Sequence, residues 1–393
     1  MAGARALDAN RLRVPAFAIA TIGFAFGAIR LIGPFDYGYD FAVYRVAGSA
    51  VVHHESLFGP WIGQHLDHPL PFTYPPLAAV FAVPFALIGN HVGYALWNIV
   101  SIVALVLVVN AATKSVVRRF ASPRLALAVA CAIALALTPV QDEIGFGQVG
   151  IVLMAMCFFD CAQETTRWPR GLLVGTATAI KLVPGVFIPY LWLSGRRRAA
   201  VVATATFAVL SLAGTALMPG DSKSFWTSRV FDNSRVGNSA YVSNQSLNGM
   251  LERALGPHVY VVWFMLAGAV AVFGLRRAAM ASRRGHELLG VALAALVGVL
   301  VSPVSWIHHL VWIVPVLAVL VGNAADRRRV ALAISIATLF ALRLPYLGDN
   351  IPRGWHLGGI AAVLRDSYGL LCVFLLFALA RFVAVRRPLT EPA

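Results

Sequence analysis

Long apolar runs fill most of this 393-residue chain, and charged residues are largely confined to the gaps between them. Only 12% of the residues are charged and 59% are hydrophobic, whereas a soluble domain carries roughly 25% charged residues. The runs are about 17–25 residues long, which suits helices that cross a hydrocarbon core about 30 Å thick. The sequence lacks the alternating pattern of outer-membrane barrels, and hydrocarbon admits only helices or closed barrels. The chain is therefore predicted to be an all-α polytopic membrane protein.

Lys and Arg cluster at every second gap, and this clustering predicts the topology. With a cytoplasmic N-terminus, 22 of the 32 Lys and Arg residues fall on the cytoplasmic side, as the positive-inside rule requires. To keep this pattern, residues 72–89 must lie along or re-enter the outer face, and residues 171–194 must form a hairpin with Lys181 near its outer tip. We expect about twelve transmembrane helices in the plasma membrane, both termini cytoplasmic, and juxtamembrane helices in the first outer loop.

The remaining composition indicates one integral membrane domain over residues 1–393, with loose cytoplasmic tails at 1–12 and 388–393. The net charge of +15 is spread over helix ends instead of forming one patch, so nucleic acid is not an expected partner. The four cysteines lie inside apolar runs and lack metal-ligand spacing. No cofactor or metal is expected.

The first outer loop carries the strongest candidate for acid–base chemistry. Asp40 lies among aromatic residues just above the predicted membrane surface, and Tyr44 and Tyr74 are nearby in the same loop. A carboxylate in such a low-dielectric place can act as a general base. Asp36, four residues earlier, is an alternative that the sequence leaves open.

Cationic side chains on the same side predict an anion site. Lys181 lies inside an apolar hairpin, where a charge is costly unless an anion or a cavity receives it. A lipid phosphate would be a suitable anion, and Arg229 and Arg235 could bind one through a bidentate fork. The adjacent His308 and His309 could bind a phosphate, orient a base or cap a turn. Glycine-rich nucleotide loops are absent, which favours a lipid-linked donor.

Several of these segments occur in a particular order along the chain. They are Asp40-Phe41-Ala42-Val43-Tyr44, Phe72-Thr73-Tyr74-Pro75-Pro76-Leu77, Gly147-Gln148, Lys181-Leu182-Val183-Pro184, Asn244-Gln245-Ser246-Leu247-Asn248-Gly249 and Ser302-Pro303-Val304-Ser305-Trp306-Ile307-His308-His309. In this order the chain resembles glycosyltransferase family 87, whose members have the C-type fold. Among them it is most similar to the actinobacterial α-1,2-mannosyltransferases of phosphatidylinositol mannoside and lipomannan synthesis.

The resemblance implies an inverting enzyme on the outer membrane face. It would move mannose from polyprenyl-phosphate mannose to a glycolipid acceptor of the mannosylated phosphatidylinositol type. Asp40 is then the general base, with Asp36 as its rival. The donor phosphate would contact Lys181, His308 and His309, and Arg229 and Arg235 would contact either the donor phosphate or the acceptor head group. The sugar or acceptor would contact Tyr44, Tyr74, Gln148, Asn244, Gln245, Asn248 and Trp306.

Two other functions remain open at this stage. A polyprenyl-phosphate arabinosyltransferase, or another glycolipid glycosyltransferase, would need the same base and phosphate contacts. A twelve-helix transporter is less favoured, because transporters usually show internal repeats and ionisable groups near the membrane midplane. Here no repeat is visible, and the polar residues cluster towards one face.

Overall fold

The computed structural model describes residues 38–59, 70–352 and 358–383. Within these ranges the chain is helical and holds no β-strand, apart from an isolated bridge between Asn244 and Trp306. The prediction of an all-α protein is confirmed for this part of the chain. The alternative base Asp36 and the predicted tails at 1–12 and 388–393 lie outside it.

The described residues form eighteen α-helices with short 3₁₀ turns between some of them. The first nine are α1 (Tyr39–His53), α2 (Leu77–Ala86), α3 (Asn90–Val117), α4 (Pro123–Ala136), α5 (Thr138–Phe146), α6 (Gly150–Ala162), α7 (Leu172–Ile180), α8 (Phe187–Leu193) and α9 (Arg197–Leu217). The others are α10 (Pro219–Thr227), α11 (Leu247–Leu255), α12 (Tyr260–Arg283), α13 (Glu287–Val301), α14 (Ile313–Val321), α15 (Arg327–Ala341), α16 (Leu344–Asp349), α17 (Gly358–Arg365) and α18 (Ser367–Phe382).

Few of these helices are long enough to cross a membrane unbroken. Among the described residues α3, α9 and α12 are long and apolar enough, and two bent pairs, α4–α5 at 74° and α17–α18 at 62°, raise the number to five. A helix rises about 1.5 Å per residue, so about 20 residues are needed for one crossing. Most of the other apolar helices have 10–17 residues. The predicted count of about twelve crossings is not confirmed.

Helices α1 and α2 belong to the predicted first outer loop and pack against each other. Gly48 of α1 lies against the backbone of Ala82 in α2, where an added Cβ would come within 2.7 Å. Helix α2 has ten residues and contains Pro84, so it is too short for a crossing. This length agrees with the prediction that residues 72–89 do not span the membrane.

Residues 171–194 form the predicted hairpin. Gly171 lies against Ala199, and Gly175 against Ala203 and Thr206, so α7 and α9 run in the same direction. The intervening α8 must therefore run back, and Lys181 lies at the turn, directly after α7. Helix α7 has only nine residues, which is about half the length of a crossing. The hairpin is thus too short to count as two membrane crossings.

A buried carboxylate caps the start of α7, at the end of the hairpin opposite Lys181. Asp160, at the end of α6, is fully buried and accepts hydrogen bonds from the backbone N–H groups of Gly171 and Val174 and from the indole N–H of Trp168. These are donors that the first turn of α7 would otherwise leave unpaired. Asp160 joins the end of α6 to the start of α7, so the two helices run in opposite directions. Gln148 precedes α6 and Lys181 follows α7, and both residues therefore lie at the other end of this helix pair.

We expect Asp160→Ala to lower the free energy of unfolding by about 2–4 kcal/mol, since it leaves buried donors without partners. Thermal and denaturant unfolding of the purified protein in detergent would measure the change. The matched control is Asp326→Ala, because Asp326 caps α15 at an exposed position. There we expect a loss of about 0.5–1 kcal/mol. Equal losses in the two variants would contradict the anchoring role of Asp160.

Candidate active site

A chamber of about 530 Å³, lined by several charged and polar side chains among apolar ones, lies at the end of α6 and α7 that is opposite to Asp160. Its wall is built from the start of α1, the segment 70–75, the turn between α5 and α6, the tip of the α7–α8 hairpin, and the segments 229–243 and 302–309. The predicted site residues that line it are Asp40, Tyr74, Gln148, Lys181, Arg229, Arg235, Trp306, His308 and His309. Residues far apart in sequence thus face one cavity.

Two glycines allow the tight turns that place Asp40 of α1 at this chamber. Gly38 precedes α1 with φ 68°, and its N–H donates to the carbonyl of Gly145 at 3.0 Å. Gly147 also has φ 68°, a conformation that glycine adopts without steric cost. Both lie against the ring of Tyr94, so a side chain at either position would clash. Close packing of these turns brings Asp40 next to Gln148.

The environment of Asp40 suits a general base. Burial raises the pKa of the Asp40 carboxyl to about 6, while a hydrogen bond with Gln148 and the charge of Lys181 act to lower it. The carboxylate is therefore ionised at neutral pH and yet more basic than an ordinary aspartate. A base with a pKa near the working pH is the most effective in proton transfer.

Gln148 is held in one orientation by two tyrosines. The hydroxyls of Tyr44 and Tyr74 donate to its Oε1 atom at 2.7 and 3.1 Å, and the two hydroxyl oxygens lie 2.7 Å apart. Burial raises the pKa of both phenols, so both stay protonated donors. With Oε1 engaged in this way, the amide N–H₂ group is left to face Asp40. The predicted contacts of these three residues with a sugar stay predictions, and Tyr44 is not part of the chamber wall.

A second group at the chamber is cationic. The Nζ atom of Lys181 lies 2.9 Å from Nε2 of His309 and 5.2 Å from the centre of the Tyr74 ring. A charged lysine has three donors and no acceptor, so His309 accepts one of them as a neutral imidazole. His308 is buried beside it, and its Nε2 atom has no hydrogen-bond partner among the described residues. This group can bind an anion.

Glu143 joins this group, and the sequence analysis assigned it no role. Its side chain is 1% exposed, and Oε2 accepts the N–H of Ile151 at the start of α6 at 3.2 Å. Its charge interacts with those of Lys181 and Asp40. A carboxylate inside an otherwise apolar run was the available signal, since such residues are usually functional. The adjacent Asp142 forms an ion pair with Arg343 at 3.2 Å instead.

Arg229 and Arg235 line a different part of the chamber wall. Their guanidinium carbons lie 4.9 and 5.5 Å from the centre of the Phe58 ring. Nε of Arg229 donates to the hydroxyl of Ser224 at 2.9 Å, and Arg235 donates to the carbonyl of Arg229 at 3.1 Å. The two arginines are thus held as a pair.

The three amides of the 244–248 segment lie behind the wall and do not line the chamber. Asn244 accepts the N–H of Ser305 at 2.9 Å and donates to the carbonyl of Pro303, and so ties this segment to the turn that carries Trp306. Gln245 and Asn248 are also buried and bond to neighbouring protein groups. Their predicted sugar contacts stay predictions; in the structure their side chains bond to neighbouring protein groups outside the chamber lining.

No group of three or more His, Cys, Asp or Glu side chains in the described ranges is arranged to hold a metal ion. The chamber instead offers one partly buried carboxylate, a lysine beside two histidines and a pair of arginines. A carboxylate can take a proton from a hydroxyl, and the cations can stabilise a leaving phosphate. This combination, set among apolar helices, defines a membrane enzyme suited to group transfer from a phosphorylated donor.

The comparisons with known proteins agree with this class. The model of glycosyltransferase family 87 matches residues 72–303. The chain belongs to glycosyltransferase family 87. It is therefore a glycosyltransferase, as the sequence analysis predicted.

Curated relatives match over most of the chain. A polyprenol-phosphate-mannose-dependent alpha-(1-2)-phosphatidylinositol mannoside mannosyltransferase of Mycobacterium tuberculosis is 34% identical, over 83% of this chain and 80% of the relative. The protein of the same description from Mycolicibacterium smegmatis is 35% identical over 77% and 73%. A phosphatidylinositol pentamannoside mannosyltransferase of M. tuberculosis is 33% identical over 74% and 67%. No solved structure matches this chain.

Proposed function

We propose that this enzyme transfers mannose from polyprenyl-phosphate mannose to a hydroxyl of a mannosylated phosphatidylinositol lipid, forming an α-1,2 linkage. The descriptions of the mycobacterial relatives supply the donor, the acceptor and the linkage. The observation that carries the proposal is that Asp40 and Lys181 line one chamber, with their charges close enough to interact. A base for the acceptor and a cation for the leaving phosphate are both needed for this reaction.

The reaction is a single displacement at the anomeric carbon. Asp40 removes the proton of the acceptor hydroxyl as its oxygen forms a bond to C1 of mannose. The bond between C1 and the phosphate oxygen breaks on the opposite side, and its electron pair leaves with polyprenyl phosphate. Lys181 and the neighbouring histidines receive the negative charge that develops there. A β-linked donor then gives an α-linked product, so the step inverts configuration.

The orientation in the membrane belongs to the same proposal. We place the chamber on the outer face of the plasma membrane, because the arginines at 196–198 lie at the other end of the α7–α8 hairpin. Arginine clusters mark the cytoplasmic side. Both termini are then cytoplasmic, and residues 1–393 act as one catalytic unit.

We further propose that no metal ion takes part. Phosphate is a good leaving group, and Lys181 is placed to stabilise its charge, so the protein itself supplies the cation. Activity that is unchanged by a chelator such as EDTA, and unstimulated by Mg²⁺ or Mn²⁺, is the expected result. Loss of transfer with the chelator and its recovery with one of these ions would contradict it.

A membrane assay with defined lipids tests the proposed function. Membranes containing the protein receive polyprenyl-phosphate mannose and a panel of phosphatidylinositol mannosides, and the lipid products are weighed by mass spectrometry. The expected result is a gain of one hexose that an α-1,2-mannosidase removes. Transfer from polyprenyl-phosphate arabinose but not from the mannose donor would contradict the proposal and support an arabinosyltransferase. Lack of transfer from either donor by folded protein would overturn it.

The pH dependence of transfer tests the hydrogen bond between Gln148 and Asp40. The base form of Asp40 is lost as pH falls through about 6, so kcat/KM should fall on the acid side. Because this hydrogen bond holds the pKa down, Gln148→Leu should move the acid limb to higher pH as well as reduce the rate. Gln141→Leu is the matched control, since the side-chain amide of Gln141 donates to the carbonyl of Ala136 and lies outside the chamber wall. An acid limb that stays at the wild-type position would rule out this role for Gln148.

A further inference from the structure

The cations of the chamber form two groups that lie at opposite ends of an aromatic row. Lys181 lies over the ring of Tyr74, and Arg229 and Arg235 lie over the ring of Phe58. Phe72 stands between these rings, with its centroid 6.2 Å from Phe58 and 5.7 Å from Tyr74. Lys181 and the arginine pair therefore lie at the two ends of a series of three rings, of which Tyr74 lines the chamber and Phe72 is buried outside its lining.

Lys181 and the arginine pair also have different charged neighbours, as expected if they lie in different parts of the chamber. Lys181 faces Asp40 and Glu143. Arg235 instead faces Arg229 and Asp232, and burial together with the neighbouring Arg229 lowers its pKa. The reacting atoms belong at the Lys181 end, because the general base Asp40 is there.

The arginine pair carries more positive charge than the neighbouring carboxylate balances, and one of its buried N–H groups lacks a hydrogen-bond acceptor among the described residues. Two guanidinium groups face the chamber beside one carboxylate, that of Asp232. The Nε atom of Arg235 is buried and has no hydrogen-bond partner within the described part of the chain. Two like charges held side by side are unfavourable unless an anion joins them, and the arginine fork matches the oxygens of a phosphate.

We propose that Arg229 and Arg235 bind the phosphodiester of the glycolipid acceptor, whereas Lys181 and the neighbouring histidines serve the phosphate of the donor. This assignment rests on the proposed function, in which the donor and the acceptor each carry one phosphate. The acceptor then lies along the chamber, with its phosphodiester at Arg229 and Arg235 and its reacting hydroxyl beside Asp40. The sequence left open whether these arginines contact the donor phosphate or the acceptor head group, and the proposal assigns them to the acceptor.

The decisive experiment compares two acceptors that differ in phosphate. Purified protein receives polyprenyl-phosphate mannose with either a phosphatidylinositol mannoside or octyl α-mannoside, which is uncharged. We expect Arg229→Gln and Arg235→Gln to raise KM for the phosphatidylinositol mannoside by about 10- to 100-fold, the range expected for hydrogen bonds to a charged group. KM for the donor and transfer to octyl α-mannoside should stay within about twofold of wild type, a difference well under 1 kcal/mol.

Other variants separate this effect from a general loss of charge or fold. Lys223→Gln removes a positive charge from α10 at an exposed position outside the chamber wall, and should leave both acceptors unaffected. Arg235→Lys keeps the positive charge but loses the bidentate guanidinium, and should raise the acceptor KM by a smaller factor than Arg235→Gln does. If Arg235→Gln does not fold, Arg235→Lys is used to test the proposal.

The possible outcomes distinguish this proposal from the proposed function. A raised donor KM, or equal loss with the two acceptors, would assign the arginines to the donor or to the fold and overturn the inference. Unchanged KM for the phosphatidylinositol mannoside would overturn it as well. Failure of the wild type with both acceptors would count against the proposed function, and the inference would fall with it.

Discussion

Asp40→Asn is expected to reduce kcat by roughly 10²- to 10⁴-fold, the contribution of a positioned general base. Asparagine has the same shape as aspartate and can still accept the hydrogen bond from Gln148, but it cannot take the proton of the acceptor hydroxyl. The KM for both substrates and the thermal unfolding midpoint should stay near those of the wild type. Initial rates of mannose transfer, with lipid products measured by mass, would give the effect.

Two further variants make this result specific to Asp40. Asp36→Asn tests the alternative base and should keep transfer close to the wild-type rate. Asp349→Asn removes a half-exposed carboxylate that is not part of the chamber wall, so it should also be active. A loss in Asp36→Asn with normal activity in Asp40→Asn would move the role of base to Asp36.

Lys181→Gln is expected to lower kcat/KM by roughly 10²- to 10³-fold, the range found when one donor to a developing negative charge is removed. The amide can still bond to His309, but it carries no charge to stabilise the leaving phosphate. Both kcat and the KM for the donor should change, whereas the KM for the acceptor should not. Titration of polyprenyl-phosphate mannose at saturating acceptor would separate these effects.

The loss of Lys181 also leaves the buried Glu143 without its neighbouring positive charge. An unpaired buried charge can cost several kcal/mol, so the single variant could be inactive because it unfolds. The double variant Lys181→Gln with Glu143→Gln removes both charges and should recover the stability but not the activity. Recovery of transfer in the double variant would show that Lys181 acts only by neutralising Glu143. Lys223→Gln is again the matched control and should be fully active.

Much of the site could be predicted because its residues break a local pattern. A lysine within an apolar run, an aspartate among aromatic residues and two adjacent histidines each stand out in sequence. Hydrocarbon penalises such residues strongly, so each one indicates a cavity or a partner. The same reasoning predicted the hairpin of residues 171–194, since arginines on both sides cannot flank a single crossing.

The partners within the site could not be predicted in this way. Amides pair well with hydroxyls, so sugar contacts were predicted for the 244–248 segment, but these side chains do not line the chamber and bond to backbone carbonyls and to the carboxylate of Glu252. Gln148 lines the chamber, and only the structure showed that Tyr44 and Tyr74 hold it beside Asp40. The count of about twelve crossings is not confirmed, because charge patterns reveal which side of the membrane a loop is on but not whether a helix stops halfway.

The sequence by itself determined the helical membrane fold, the family and the residue types that carry the chemistry, because hydropathy, charge position and motif order are local properties of the chain. Only the tertiary structure decided which of those residues meet. Lys181 and His309 are 128 residues apart, and Tyr44 and Gln148 are 104 apart. Such contacts depend on how the helices pack, and the separation of the arginine pair from Lys181 by three aromatic rings is likewise a result of packing.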